Sequence, residues 1–296
     1  MRRISAGATG GRAFYLLLAI VVLSAQGLSQ QTIRVDVNLV SVFATVHDEK
    51  GQFVTGLGRD DFHLFEDGIR QEIRTFESGN NIQSSVGLLV DTSGSMVDVL
   101  PFMRSGIRDF TKSLPAAHEF FVVSFGASPR LVHTSTQGQR RLEDSLDQLR
   151  AYGTSFLFNA LLYSNDKILA SERPRKALIV FTDGIFTDEK NVSSPYTRVL
   201  AEAQRSSVLI YFIAMGPRII VDTNTVESLA DITGGRPFYV TKNDSIVAAL
   251  DEIRAELSSQ YFLGYYAMPK SGLHQIRVEV PERKVKVRAR TRYSVR

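Results

Sequence analysis

Three apolar runs, residues 86–90, 177–181 and 208–215, show almost no alternation with polar residues. A sheet with one wet face would impose a period of two, so strands of this kind are buried on both faces. The stretches between them carry apolar residues at helical spacing. Helices are expected at 97–114, 142–149, 155–169, 197–204, 225–232 and 245–258, with further strands at 120–125, 131–136 and 237–240. Strands alternating with helices over residues 84–259 predict an α/β fold, a doubly wound and mostly parallel sheet covered by helices on both faces.

The flanking segments follow a different grammar. Residues 31–80 read as an N-terminal β segment. Ile33, Val35, Val37 and Leu39 share one parity, and Val40, Val42, Ala44 and Val46 follow with the parity shifted, as a bulge or a break would produce. Asp48-Glu49-Lys50-Gly51 is a turn, and Glu66-Asp67-Gly68 is a hairpin signal. Residues 260–296 form a C-terminal β segment with strand candidates at 261–266, 275–280 and 284–293. In the last of these Val285, Val287, Ala289 and Tyr293 face one way, while Lys284, Lys286, Arg288, Arg290 and Arg292 face the other. Neither segment has enough strands for a core of its own. Together they are expected to pair into a smaller β-sandwich-like domain.

Residues 1–30 are different again. Arg2, Arg3 and Arg12 precede an apolar run from Ala13 to Ala25 that is too short to span a bilayer comfortably. A basic start, a short apolar middle and small residues afterwards describe a secretory signal peptide, with an uncleaved anchor as the alternative, and hence an exported, periplasmic, cell-surface or secreted protein with no integral span after cleavage. Removing three arginines lowers the formal charge from +4 to +1, so the overall balance says little about partners. There is no cysteine, which excludes disulfides, thiolate metal sites and a lipid on cysteine.

The residues that carry chemistry begin where the first buried strand ends: Asp91-Thr92-Ser93-Gly94-Ser95. Open parallel sheets bind ligands beyond the carboxyl ends of their strands, near a switch in strand order. A carboxylate and two hydroxyls at alternate positions, with Gly94 permitting a tight turn, can converge there. Asp183 follows another buried strand immediately, and Thr154 follows Gly153 at the head of an expected helix. The set Asp91, Ser93, Ser95, Thr154 and Asp183 supplies hard oxygen ligands suited to Mg²⁺ or Mn²⁺. Some of them would act through water, leaving one position open to a carboxylate from a partner.

Asp-x-Ser-x-Ser after a buried strand, Gly-Thr, and then Thr-Asp-Gly after another strand resembles the metal-ion-dependent adhesion site of von Willebrand factor A domains. That resemblance implies that Asp91, Ser93 and Ser95 form the first ligand loop, Thr154 the second and Asp183 the third. The order of elements over 84–259 fits the same family. The flanking Asp61-Phe62, Glu66-Asp67-Gly68 and Tyr261-Phe262-Leu263-Gly264-Tyr265-Tyr266, with the Arg-rich end, are similar to exported bacterial proteins, abundant in acidobacteria, described only as von Willebrand factor A-related. The chain departs from many bacterial relatives in having Tyr152 before Gly153-Thr154 and Asn159 where an acid often stands. Neither is a ligand position in the family pattern.

Three function classes follow. The first is a non-enzymatic module binding a protein ligand that presents an acidic residue to the metal. The second is a structural scaffold of an envelope assembly in which the metal is incidental, motivated by the terminal β segments. The third is a metal-assisted hydrolase. Against the third, no histidine neighbours the ligand loops, Gly-x-Ser-x-Gly and the phosphate-cradling Gly-x-x-x-x-Gly-Lys-Ser/Thr pattern are absent, and only Asp188 and Glu189 offer a base. The basic last strand has no interleaved aromatics to stack bases, so it reads as a solvated, edge-protecting face and not a nucleic-acid site. His47, His63, His118, His133 and His274 form no ligand pair, and Asn191-Val192-Ser193 is a formal glycosylation acceptor. The oligomeric state is not legible.

Overall fold

The computed structural model describes residues 39–185, 195–216, 218–241, 245–267 and 270–295. The expected signal peptide, the strand residues from Ile33 to Val37, Asp188, Glu189 and the Asn191-Val192-Ser193 acceptor lie outside these residues. Among the described residues no helix is long and apolar enough to cross a membrane.

In the α/β part the chain runs β5 (Ser84–Asp91), α1 (Leu100–Ser113), β6 (Glu119–Phe125), β7 (Pro129–Thr134), α2 (Gln139–Asp147), α3 (Leu157–Leu169), β8 (Arg175–Thr182), α4 (Pro195–Arg205), β9 (Val208–Met215), α5 (Thr223–Thr233), β10 (Pro237–Val240) and α6 (Ser245–Ser259). The sheet order is β10-β9-β8-β5-β6-β7, parallel throughout except for β7, which returns antiparallel beside β6. Starting at β5, the chain builds outward through β6 and β7, then crosses to the opposite side and builds through β8, β9 and β10. The switch in strand order therefore lies between β5 and β8.

The pattern of the bare strands explains the layers. Every residue of β5 and of β9 is buried. On one face Val86, Leu88 and Val90 pack with Met103, Ile107 and Phe110 of α1 and Ile246, Leu250 and Ile253 of α6. On the other face Leu89 joins Leu157, Phe158 and Leu161 of α3, Val199 of α4 and Leu229 of α5. Burial of a Leu- or Ile-sized side chain contributes roughly 1.5–3 kcal/mol, so two continuous apolar faces dominate the stability of this sheet.

The terminal segments supply β1 (Leu39–Asp48), β2 (His63–Glu66), β3 (Ile69–Gln71), β4 (Thr75–Ser78), β11 (Tyr261–Tyr266), β12 (Gly272–Glu279), β13 (Val285–Arg288) and β14 (Arg292–Val295). They hydrogen-bond to one another across the length of the chain, in two four-stranded sheets ordered β13-β1-β11-β4 and β14-β12-β2-β3. Val42, Ala44, Leu64, Leu263, Ile276 and Tyr293 share one apolar cluster between them. The hairpin joining β2 to β3 turns on Asp67 and Gly68, both in the left-handed region (φ 49° and 82°), as Asp-Gly favours.

From Val42 to Val46 β1 is buried on both faces. Its even-numbered residues face the two-sheet core, while Phe43 turns toward the α/β unit and stacks on Phe262 at 5.2 Å between ring centroids. The expected single strand over 284–293 is not formed. It breaks at Ala289–Thr291 into β13 and β14, which belong to different sheets. The cause is Arg290, which turns inward and donates through Nη2 to the carbonyl of Gln204 (2.8 Å) and through Nε to that of Arg292 (3.0 Å). Gln204 lies in the last turn of α4, whose end carbonyls lack intrahelical donors. Nor is the basic face wholly solvated, because Arg290 is buried and Arg288 pairs with buried Glu256.

Candidate metal centre

β5 and β8 end side by side at the switch point, and each delivers an aspartate there. Asp91, the last residue of β5, is fully buried, and its side chain is bonded on both oxygens. The Ser93 amide donates to Oδ1 at 2.8 Å and the Thr182 hydroxyl to Oδ2 at 2.9 Å. Each carboxylate oxygen accepts two bonds, so capacity remains on both. Asp183 follows β8; its Oδ1 accepts from the Ile185 amide at 2.9 Å and its Oδ2 from the Ser95 hydroxyl at 2.5 Å. The Ser93 and Ser95 hydroxyls lie 3.1 Å apart. Four of the five expected residues thus form one connected set of oxygens.

Thr154 sits on the neighbouring loop and is exposed. It precedes α3 by three positions, at the loop and not at the helix head. Backbone bonds hold its loop to the first one: the Gly94 amide donates to the Gly153 carbonyl (2.9 Å) and the Tyr152 amide to the Thr92 carbonyl (2.9 Å). No side-chain hydrogen bond joins Thr154 to the other four residues.

The first loop is shaped by backbone geometry. Ser93, extended at ψ 162°, leads into a 3-10 turn over Gly94–Met96, and α1 begins only at Leu100. The expected helix start at Val97 is displaced because these residues are spent on the loop. The Thr92 hydroxyl and amide both donate to the Phe125 carbonyl at the end of β6 (3.0 and 2.8 Å), fixing the loop against the sheet. In the third loop Gly184 has φ 72°, and a Cβ there would meet Val221 Cγ1 at 2.5 Å. Only glycine gives both the left-handed backbone and the close approach.

The sequence pattern assigns Thr182 no role of its own, although it stands in the Thr182-Asp183-Gly184 run. Its hydroxyl donates to Asp91 and accepts from the Gly184 amide at 3.1 Å, so it couples the first and third loops. Its burial at a strand end is the signal that could have marked it.

Burial pushes the Asp91 carboxyl above its ordinary pKa; hydrogen bonds from Ser93 and Thr182 pull it down, and the charge of Asp183 pushes it up again. Among the described residues neither aspartate has a Lys, Arg or His partner. Nor is any group of three or more His, Cys, Asp or Glu side chains among them placed to hold a metal ion, so a cation at this site would draw on hydroxyls and water beside the two carboxylates. Two carboxylates and adjacent hydroxyls, oxygen donors only, fit Mg²⁺ or Mn²⁺ better than a softer metal.

An open α/β sheet with an oxygen-lined crevice at its switch point defines the class of domain. The chain belongs to the von Willebrand factor type A domain family, whose model matches residues 85–255. Among solved structures it is similar to a von Willebrand factor type A protein from Catenulispora acidiphila (TM-score 0.52, 11% identity, covering 87% of this chain and 74% of that one). It is also similar to proximal thread matrix protein 1 from the mussel byssus (TM-score 0.53, 13% identity, 65% of this chain and 50% of that one). A third likeness is to a variant of the PilB minor pilin from Streptococcus sanguinis (TM-score 0.51, 12% identity, 60% and 62%). At these identities the likeness is one of fold, and the chain spans half to three quarters of those proteins. No curated protein matches in sequence.

Proposed function

We propose that this is an exported protein-binding module, not an enzyme, that holds Mg²⁺ or Mn²⁺ on Asp91, Ser93, Ser95, Thr154 and Asp183 and captures an acidic side chain of a partner protein. The observation that carries this reading is the pairing of two aspartates at the sheet's switch point, linked through Ser93 and Ser95 and lacking a protein cation among the described residues. A bound divalent ion supplies a hard Lewis-acidic centre that takes carboxylate oxygen. The protein does the rest. Ser93 and Ser95 present neutral oxygens, Thr182 and the Ser93 amide fix the Asp91 carboxylate, and Thr154 stands on the exposed side where a partner would enter. The five residues offer fewer ligands than the six positions of an octahedral dication, which leaves a place for an acidic ligand from outside.

The two-sheet unit built from the terminal segments serves in this reading as the mount for the binding domain. Membership of the von Willebrand factor A family, whose domains generally mediate protein interactions, supports the binding role, as does the occurrence of the fold in a minor pilin. That the centre faces an exported environment rests on the basic-apolar character of residues 1–30.

Calorimetric titration of Mg²⁺ and Mn²⁺ into the protein lacking residues 1–30, beside a folded Asp91→Ala control, tests the centre. One-site uptake that disappears in the control is the expected result. Equal uptake in both, or none in either, would remove the metal from the mechanism and favour the scaffold reading. A pull-down with and without chelator then asks whether partner capture follows the metal.

A further inference from the structure

We propose that the surface around the metal loops is a two-sided dock for an extended protein segment whose metal-seeking carboxylate is flanked by a second acidic residue on one side and an apolar side chain on the other. This inference rests on the metal-dependent reading above and deepens it. The sheet order assigns the sides. From β5, which ends in Asp91, the loops after β8 and β9 lie in one direction and the loop after β6 in the other.

On the β6 side a groove of about 330 Å³ opens beside Thr154. Its walls include Arg130, Gln148, Arg150 and Tyr152, and no acidic residue lines it. Arg130 and Arg150 are exposed, and neither has a carboxylate partner among the described residues. Arg150 is held in place by donating Nη1 to the carbonyls of Asp147 (2.5 Å) and Leu149 (2.8 Å), which leaves its other N–H groups for a ligand. Tyr152, next to the second metal loop, is 75% exposed. A planar guanidinium beside an aromatic ring is suited to carboxylate recognition.

On the β8 side the surface carries an apolar patch, beside the Arg218–Glu227 ion pair. Ile185, two residues past Asp183, is exposed, as are Ile219 (92%) and Ile220 in the turn after β9. That turn is fixed to the third metal loop: Val221 packs on Gly184, and the Asp222 amide donates to the Gly184 carbonyl at 3.0 Å. Turn tips are ordinarily polar. Three exposed isoleucines brought together beside a ligand centre mark an interaction surface. Two free cations on one side and an aliphatic cluster on the other fit a protein segment better than a polyanion, which would ask for cations along its whole track.

The test uses fluorescein-labelled nonapeptides in a Ser/Gly background, read by fluorescence anisotropy in Mg²⁺. One peptide carries a central aspartate alone, and another a central asparagine. Two more add glutamate on one flank and leucine on the other, in both chain directions. We expect one of the flanked peptides to bind about tenfold tighter than central aspartate alone, from the added charge and apolar contacts together. The double variant Arg130→Glu/Arg150→Glu should lose the glutamate gain, while Ile219→Ser/Ile220→Ser should lose the leucine gain. Both variants should still take up Mg²⁺ in the calorimeter. If neither flanked peptide gains, or no peptide binds although Mg²⁺ uptake is intact, the dock is overturned and the metal centre stands. Absence of Mg²⁺ uptake by the unaltered protein overturns both.

Discussion

Asp91 and Glu256 are both fully buried carboxylates, yet they are treated in opposite ways. Glu256, on α6, lies where the α/β unit meets the two-sheet unit, and the chain supplies its countercharge. Arg288 Nη2 stands 2.6 Å and Arg236 Nε 3.0 Å from Oε2, while the Tyr211 hydroxyl donates to Oε1 at 2.6 Å. Arg288 comes from β13 and Arg236 from the approach to β10, so this one carboxylate ties three remote parts of the sequence together. Asp91 receives only neutral donors, from Ser93 and Thr182, and the one charge that shifts it is another aspartate. A buried charge is tolerated when paired and costly when not. The contrast separates a carboxylate that completes the fold from one that, in the proposed reading, takes its partner from outside.

The largest expected effect breaks the self-sufficient site. Glu256→Gln leaves two guanidinium groups without their anion at a buried junction and should cost about 3–5 kcal/mol, measured as a fall in the urea midpoint. Asp91→Asn should do the reverse in metal-free buffer, leaving stability equal or raised, because it removes a buried charge beside Asp183. If both variants lose stability equally without metal, the contrast fails.

The next effect adds the missing countercharge. Mg²⁺ at about a hundredfold over its Kd should stabilise the unaltered protein by about 2.7 kcal/mol. Asp91→Asn should show no such gain, whereas Glu256→Gln should keep it. Thermal unfolding with and without chelator reads all three. A gain surviving in Asp91→Asn would place the ion elsewhere.

Arg290 offers an intermediate case, a buried cation whose acceptors are carbonyls. Burial holds its pKa down at about 10. Its position over the end of α4 also sets it against the negative end of the helix dipole. Arg290→Met should cost on the order of 1–3 kcal/mol, the loss of hydrogen bonds made by a charged donor, and should loosen β14 in hydrogen exchange before it affects β5. Equal loss of protection in both strands would make Arg290 a global and not a local tie.

These contrasts also show which features the sequence makes legible. β9, β10 and β11 coincide with their expected spans, because burial on both faces or a clean flanking turn leaves few alternatives. The oxygen set at Asp91, Ser93, Ser95 and Asp183 was legible because its members follow strands that announce themselves. The start of α1 was misplaced by three residues, since the 3-10 turn at Gly94–Met96 has no side-chain cap to signal where helix begins. The break at Arg290 is invisible in the sequence because period two continues through it, while its acceptor Gln204 lies 86 residues away. Glu256 left a fainter trace: it falls three positions after Ile253, on the apolar stripe of its helix, where a charge needs a remote partner that only the fold reveals.

The smallest effect concerns a third buried carboxylate, Glu66, whose partner can be titrated. The Tyr293 hydroxyl donates to Glu66 Oε1 at 2.7 Å, and His274 Nδ1 lies 3.2 Å from the same oxygen and 2.8 Å from Asp67 Oδ2. Burial alone would lower the His274 pKa; bonds to Asp67 and the Lys270 carbonyl, with the charges of Glu66 and Asp67, outweigh it and raise the pKa above 6.5. A base whose pKa is raised on folding contributes fully below its unfolded value and loses that contribution as pH rises through the folded one. Asp67 is shifted down from 3.8, first by the Gln275 amide and then by His274, so its contribution is present above 3.8 and lost in stronger acid. The cluster is therefore strongest between these two values and weakens from neutral pH upward. His47, His118 and His133 are shifted down by burial and act with the opposite sign, losing stability as pH falls below 6.5. The difference between the unaltered protein and His274→Gln isolates the cluster: urea midpoints from pH 5 to 9 should converge as pH rises. Parallel curves would mean that His274 is neutral in the fold.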